Sequence, residues 1–156
     1  MSLLCNKNGA PQTIEFYRLS NTAICLDADR ANDVECYGGF ASSLDGGTTV
    51  GIFDIGIMYD ILNTRYTLIH ELGHILDYRN SQLQRGFLSA RTRSGCYSYP
   101  FDCADLEAFA EAVTLFVNVP GGRRDLEPFN LATIDRAAYD WINQNIFNNE
   151  DIQRTP

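Results

Sequence analysis

Apolar and polar positions alternate with a strand-like period in the first third of the chain and switch to a helical period in the remainder. Residues 13–20 (TIEFYRLS) and 22–28 (TAICLDA) are β-rich runs with partial alternation, separated by Asn21, a residue suited to turns. They predict two strands, with a hairpin as one way of joining them. Asp29 to Glu35 is polar and predicts a loop. Asp45-Gly46-Gly47 punctuates the chain before TTVGIFDIGI, another expected strand, which Gly51 and Gly56 loosen. Those glycines suit a bulge or bend, or a substrate-facing edge.

From about Asn63 the spacing is helical. Tyr66, Ile69, Gly73 and Asp77 fall on related faces, and Leu68, Leu72, Ile75 and Leu76 supply packing. Asn63 or Thr64 suits the N-cap. A second helix is expected from Ala104 to about Val117, with Asp102 or Asp105 placing negative charge at its start and Pro120-Gly121-Gly122 ending it. A third spans residues 131–147, where Ile134, Ala138, Trp141, Ile142 and Ile146 form a core stripe. The residues from Asn148 are expected to form a loose tail. The expected fold is α+β, one domain over residues 1–156: a small twisted sheet, a helix beneath it, and two C-terminal helices.

Composition narrows the partners. With 156 residues, 45% hydrophobic and 21% charged, the chain suits one globular domain, and no apolar run approaches the ~20 residues of a membrane span. A net charge of −8, with Arg123-Arg124 the one adjacent basic pair, argues against nucleic acid. The five cysteines lack zinc-finger spacing; Cys25/Cys36 and Cys96/Cys103 are the nearest-neighbour disulfide pairings and leave Cys5 over. Disulfides favour a secreted or extracytoplasmic setting, although the N-terminus lacks the pattern of a signal peptide. A monomer is expected.

The chemistry lies in His70-Glu71-Leu72-Gly73-His74. Positions i and i+4 of a helix share a face, so two imidazoles can point at one metal ion. Glu71, beside the first of them, can reach a metal-activated water as general base without binding the metal, which is the logic of H-E-x-x-H. His70 and His74 are the chain's 2 histidines. Two randomly placed histidines would fall into this motif roughly once in two thousand such compositions. A packed core histidine, the bland alternative, does not explain that coincidence.

A catalytic Zn2+ takes three protein ligands and keeps a fourth position open. A metzincin would place His at position 80, but Asn80 stands there, so that class is excluded. The better donors are Glu107 and Glu111, four apart on the second helix. Glu107 is the expected ligand, and Glu111 would accept the free imidazole N–H of a ligand histidine; the reverse assignment stays open. Asp77, on the side of the helix that carries both histidines, suits either a contact behind the ligands or a helix-end contact.

HELGHILD followed by SYPFDCADLEAFAEAV resembles the gluzincin peptidases of the anthrax lethal-factor catalytic-domain type, which include the Pro-Pro endopeptidases, over about residues 64–118. The resemblance implies a zincin-like fold, zinc held by His70, His74 and Glu107, and Glu71 as base. It adds a tyrosine that donates to the oxyanion of the tetrahedral intermediate. That role falls to Tyr99, with Tyr97 a nearby competitor, because the segment before Glu107 is one residue longer than the family's pattern. The substrate, a protein or peptide, would lie along the sheet edge as an added strand, and Thr48 to Ile57 is the candidate edge.

The expected activity is therefore zinc-dependent endopeptidase. A catalytically silent zinc-binding interaction or toxin-like module of the same fold is the alternative, and the presence of Glu71 speaks against it. Latency, with Cys5 or an N-terminal segment at the fourth zinc position, is a third expectation.

Overall fold

The computed structural model describes residues 14–19, 25–27, 34–36, 38–42, 49–53, 61–80, 83–97, 104–117 and 131–148. Among them are five strands, β1 (Glu15–Leu19), β2 (Cys25–Asp27), β3 (Val34–Cys36), β4 (Gly39–Ser42) and β5 (Thr49–Phe53). Five helices follow: α1 (Ile61–Arg79), α2 (Leu83–Ala90), α3 (Asp105–Phe116), α4 (Leu131–Ile134) and α5 (Arg136–Asn145). The class is mixed α and β, with the strands preceding the helices as the change of period predicts. No helix among the described residues is long and apolar enough to cross a membrane.

Strand pairing departs from expectation. β1 and β2 do not form a hairpin: β1 pairs in parallel with β5, and β2 pairs antiparallel with β3. β3 includes Val34 and Glu35, expected in a loop; its cross-strand partner overrides its weak local preference. The three-stranded sheet has the order β1-β5-β4, so β5 is central, and residues 49–53 of the run expected to offer an edge have a strand on both sides. Register continues through Gly51 without a bulge. The glycine makes room for its cross-strand partner Phe40, whose ring lies 2.0 Å from where a β-carbon at Gly51 would stand. Gly56 lies outside the described residues.

α1 lies between two apolar layers. On one side Leu68, Leu72 and Ile75 pack against Ile14, Ala41, Val50 and Ile52 of the sheet. On the other, Leu76 joins a helical core containing Phe87, Phe109, Ala112, Phe116, Leu131, Ala138 and Ile142. Phe87 and Phe109 are fully buried and meet at 5.5 Å in an edge-to-face pair. Each such side chain contributes about 2–3 kcal/mol by leaving water. Ile134, Trp141 and Ile146 pack against this core, as the expected stripe required.

Three local boundaries differ from the sequence reading. α1 spans Ile61–Arg79, so Asn63 and Thr64 stand within the helix and not before it. α2 went unpredicted; Leu83 and Phe87, four apart, are its buried pair. The C-terminal helix is broken at Asp135, whose carboxylate accepts from Ala138 N–H and caps α5. A side chain that competes for backbone donors ends one helix and starts the next.

Candidate metal centre

His70 and His74 occupy successive turns of α1, and Glu107 stands in the first turn of α3. The two helices approach closely because Gly73 has no side chain: a β-carbon there would come within 2.8 Å of Ala110 Cα on α3. Glu107, one turn before Ala110, is thereby brought over both histidines. His70 Nε2 lies 3.0 Å from Glu107 Oε2, and His74 Nε2 lies 3.5 Å from Glu107 Oε1. The imidazole planes are nearly perpendicular, at 84°, so both nitrogens converge on one carboxylate from different directions.

The donor set fits a metal ion. The three ligand atoms lie within 4.8 Å of one another. Donors sharing a tetrahedral ion with bonds of about 2.0–2.1 Å stand about 3.4 Å apart, close to the nitrogen–oxygen distances here. Two imidazole nitrogens with one carboxylate oxygen also form a donor set that zinc accepts at catalytic sites.

The electrostatics point the same way. Hydrogen bonds from His70 and His74 hold Glu107 well below the usual carboxylate range, against the opposing effect of burial. Burial opposes protonation of His70. The hydrogen bond to Glu107 and the charges of Glu71, Glu107 and Glu111 outweigh it and raise its pKa. Three carboxylates around two imidazoles make a pocket that favours positive charge.

Glu71 is buried and lies under β4: a β-carbon at Gly39 would stand 3.1 Å from Glu71 Cγ. Burial raises its pKa, the neighbouring histidines oppose that, and Glu107 adds to it. Its carboxyl is therefore a stronger proton acceptor, once ionised, than an exposed glutamate.

Other expected contacts are redirected. Glu111 is buried, but its carboxylate accepts from the backbone N–H of Tyr97, and among the described residues the Nδ1 atoms of His70 and His74 have no hydrogen-bond partner. The expected Glu111–imidazole contact is thus replaced by one to the 91–97 segment, whose main-chain donor would otherwise be stranded in the core. Asp77 turns to the end of the next helix, accepting from Gln84 N–H at 3.0 Å, so the helix-end alternative is the one observed. Tyr97 packs in the helical core, and its hydroxyl lies 3.2 Å from Asp135 Oδ2. Its phenol is raised beyond the ordinary tyrosine range, by burial first and then by Asp135. Tyr99 lies outside the described residues.

Two tyrosines complete the surroundings. Tyr66 stacks on His70 with centroids 6.4 Å apart, and Tyr78 stacks on His74 at 6.2 Å. Burial, then the charges of Glu71, Glu107 and Asp77, raises the pKa of the Tyr78 phenol. The signal was present in the sequence, where Tyr66, His70, His74 and Tyr78 recur every fourth residue.

Cys96 is buried and disulfide-bonded, while Cys103, its expected partner, lies outside the described residues. Cys25 and Cys36 are direct register partners in the β2–β3 pair. No family model, curated protein or solved structure matches this chain.

Proposed function

We propose that this chain is a zinc-dependent endopeptidase of the gluzincin type. The observation that carries this reading is the convergence of His70, His74 and Glu107 from two helices, with Glu71 buried beside them. Those three residues would hold the ion, which when bound supplies Lewis acidity to the attacking water and the scissile carbonyl. The Glu71 carboxylate takes the proton from the water and delivers it to the leaving amide nitrogen. Tyr97 is committed to the core and to Asp135, which favours Tyr99 as the donor to the developing oxyanion.

The substrate strand belongs on β4. This strand stands at an end of the three-stranded order, and its Gly39 lies against Glu71. An extended peptide hydrogen-bonded along that edge would carry its scissile bond past the base. The disulfide at Cys96 supports a secreted or extracytoplasmic setting.

Cleavage of a fluorogenic peptide library, with metal content measured by mass spectrometry, tests the proposal. Glu71→Gln should keep its metal and lose turnover by on the order of a hundredfold or more. Glu107→Ala should lose the metal itself. Wild-type turnover in Glu71→Gln would sink the mechanism. A zinc-loaded wild type that cleaves nothing in the library would favour the silent module.

A further inference from the structure

Histidines that bind metals ordinarily donate the other ring N–H to a carboxylate or carbonyl, and that bond sets the orientation of the ring. Among the described residues neither histidine has such a partner: both Nδ1 atoms are buried without a hydrogen bond there, and Glu111 accepts from Tyr97 N–H. Yet both rings are turned so that Nε2 faces Glu107. Apart from each other, their ring neighbours along the helix are two tyrosines.

We infer that Tyr66 and Tyr78 are positioning residues for the metal ligands, bracketing His70 and His74 with their rings. The inference rests on the metal-site reading above and deepens it. Four aromatic rings stand on successive turns of α1 in the order Tyr66, His70, His74, Tyr78. The outer pairs are near parallel, 19° and 18° between planes, and the two imidazoles meet edge to face at 4.8 Å. Each imidazole therefore has a phenol ring on one side and the other imidazole on the other. Tilting an imidazole plane would break its near-parallel contact with the phenol, and a half-turn, which restores the plane, would carry Nε2 away from Glu107. Tyr78 is itself anchored, because it packs against the cluster of Val50, Ile52 and Ile75 between sheet and helix. The bracket thus ties the orientation of His74 to the packing of the sheet on α1.

A ring that samples other orientations lowers the fraction of molecules ready to bind, and the apparent affinity falls in proportion. Loss of groups that orient metal ligands typically costs 10- to 100-fold in metal affinity. Stacking requires the ring and not the hydroxyl, so phenylalanine should serve and leucine should not.

The test is zinc affinity by chelator competition for the wild type and for Tyr66→Phe, Tyr66→Leu, Tyr78→Phe and Tyr78→Leu, with melting curves of the metal-free proteins beside them. The wild type should bind one equivalent. The Phe variants should stay within about twofold of it, and each Leu variant should bind roughly tenfold or more weakly. Leu variants with wild-type affinity would overturn the bracket while leaving the metal site standing. Phe variants as weak as the Leu variants would overturn it by assigning the effect to the hydroxyls. A wild type that takes up no zinc would remove the metal reading and the bracket together. Nuclear Overhauser contacts between the Tyr78 and His74 rings in the metal-free wild type provide a measurement that no substitution can confuse by unfolding. Their absence would also overturn the proposal.

Discussion

At the scale of single residues, Asp135 shows how one carboxylate can organise structure away from the chemistry. Its Oδ2 accepts from the backbone N–H groups of Thr92 and Arg93 and from the hydroxyl of Tyr97, and its Oδ1 accepts from Thr92 Oγ1 and Ala138 N–H. Burial alone would raise its pKa, but the hydrogen bonds from Ala138, Thr92 and Arg93 prevail and lower it below its ordinary 3.8. A carboxyl whose pKa is depressed on folding contributes stability that is fully present above its unfolded value. That stability is lost as pH falls through the folded value. Asp135→Asn is expected to cost about 2–3 kcal/mol at pH 7, because an amide turned either way presents its NH2 to donors. Urea unfolding between pH 7 and pH 2 should show the wild type approaching the variant as the pH drops below about 4. A constant gap across that range would mean that the charge of Asp135 is not what stabilises the loop. Asp135 stands beside the apolar stripe of the C-terminal helix, and nothing in that stripe announces its role. Its partners at 92, 93 and 97 are distant along the chain and bear no pattern that announces them.

At the scale of elements, the crossing of α1 and α3 decides whether His70, His74 and Glu107 meet. Gly73→Ala gains about 1 kcal/mol of helix propensity and loses more, because the new methyl must displace backbone at Ala110. Overpacking of this kind costs typically 1–3 kcal/mol, so net destabilisation is expected. Moving α3 away also draws Glu107 from the histidines, so zinc affinity should fall several-fold along with stability. Adding Ala110→Gly should restore part of both, since it removes the 3.2 Å contact with the Ala110 β-carbon and leaves the 2.8 Å contact with Cα. Zinc affinity unchanged in Gly73→Ala would show that the crossing does not set the ligand distance. These two helices were legible, because a period of 3.6 with buried small residues is local information, whereas the short α2 was not. The sheet was not: alternation reveals a strand but not its partner, and β1 finds β5 across more than thirty residues. That is why the edge beside Glu71 is β4 and not the more apolar β5.

At the scale of the whole molecule, the candidate centre joins a helix wedged between sheet and helical core to a second helix of that core. His74 is buried, while the Glu107 side chain is 48% exposed, so the ion would be reached from the Glu107 side and would clamp α3 onto α1. A ligand that binds only the folded chain stabilises it by about 2.7 kcal/mol at a hundred times its dissociation constant. In a protein of this length each kcal/mol moves the melting temperature by about 2–4 °C. Zinc at that excess should therefore raise Tm by roughly 5–10 °C over the chelated protein. Glu71→Gln should keep the shift, because the base is not a ligand, and Glu107→Ala should abolish most of it. The paired outcome separates roles that the sequence could propose only by spacing. The two histidines of HELGH stand within a single turn, so their juxtaposition was legible, whereas the nearness of Glu107 depends on where another helix is carried by the core. A zinc shift that survives Glu107→Ala and disappears in Glu111→Ala would reassign the third ligand. The buried Glu111 would then have to leave Tyr97 N–H to reach the ion.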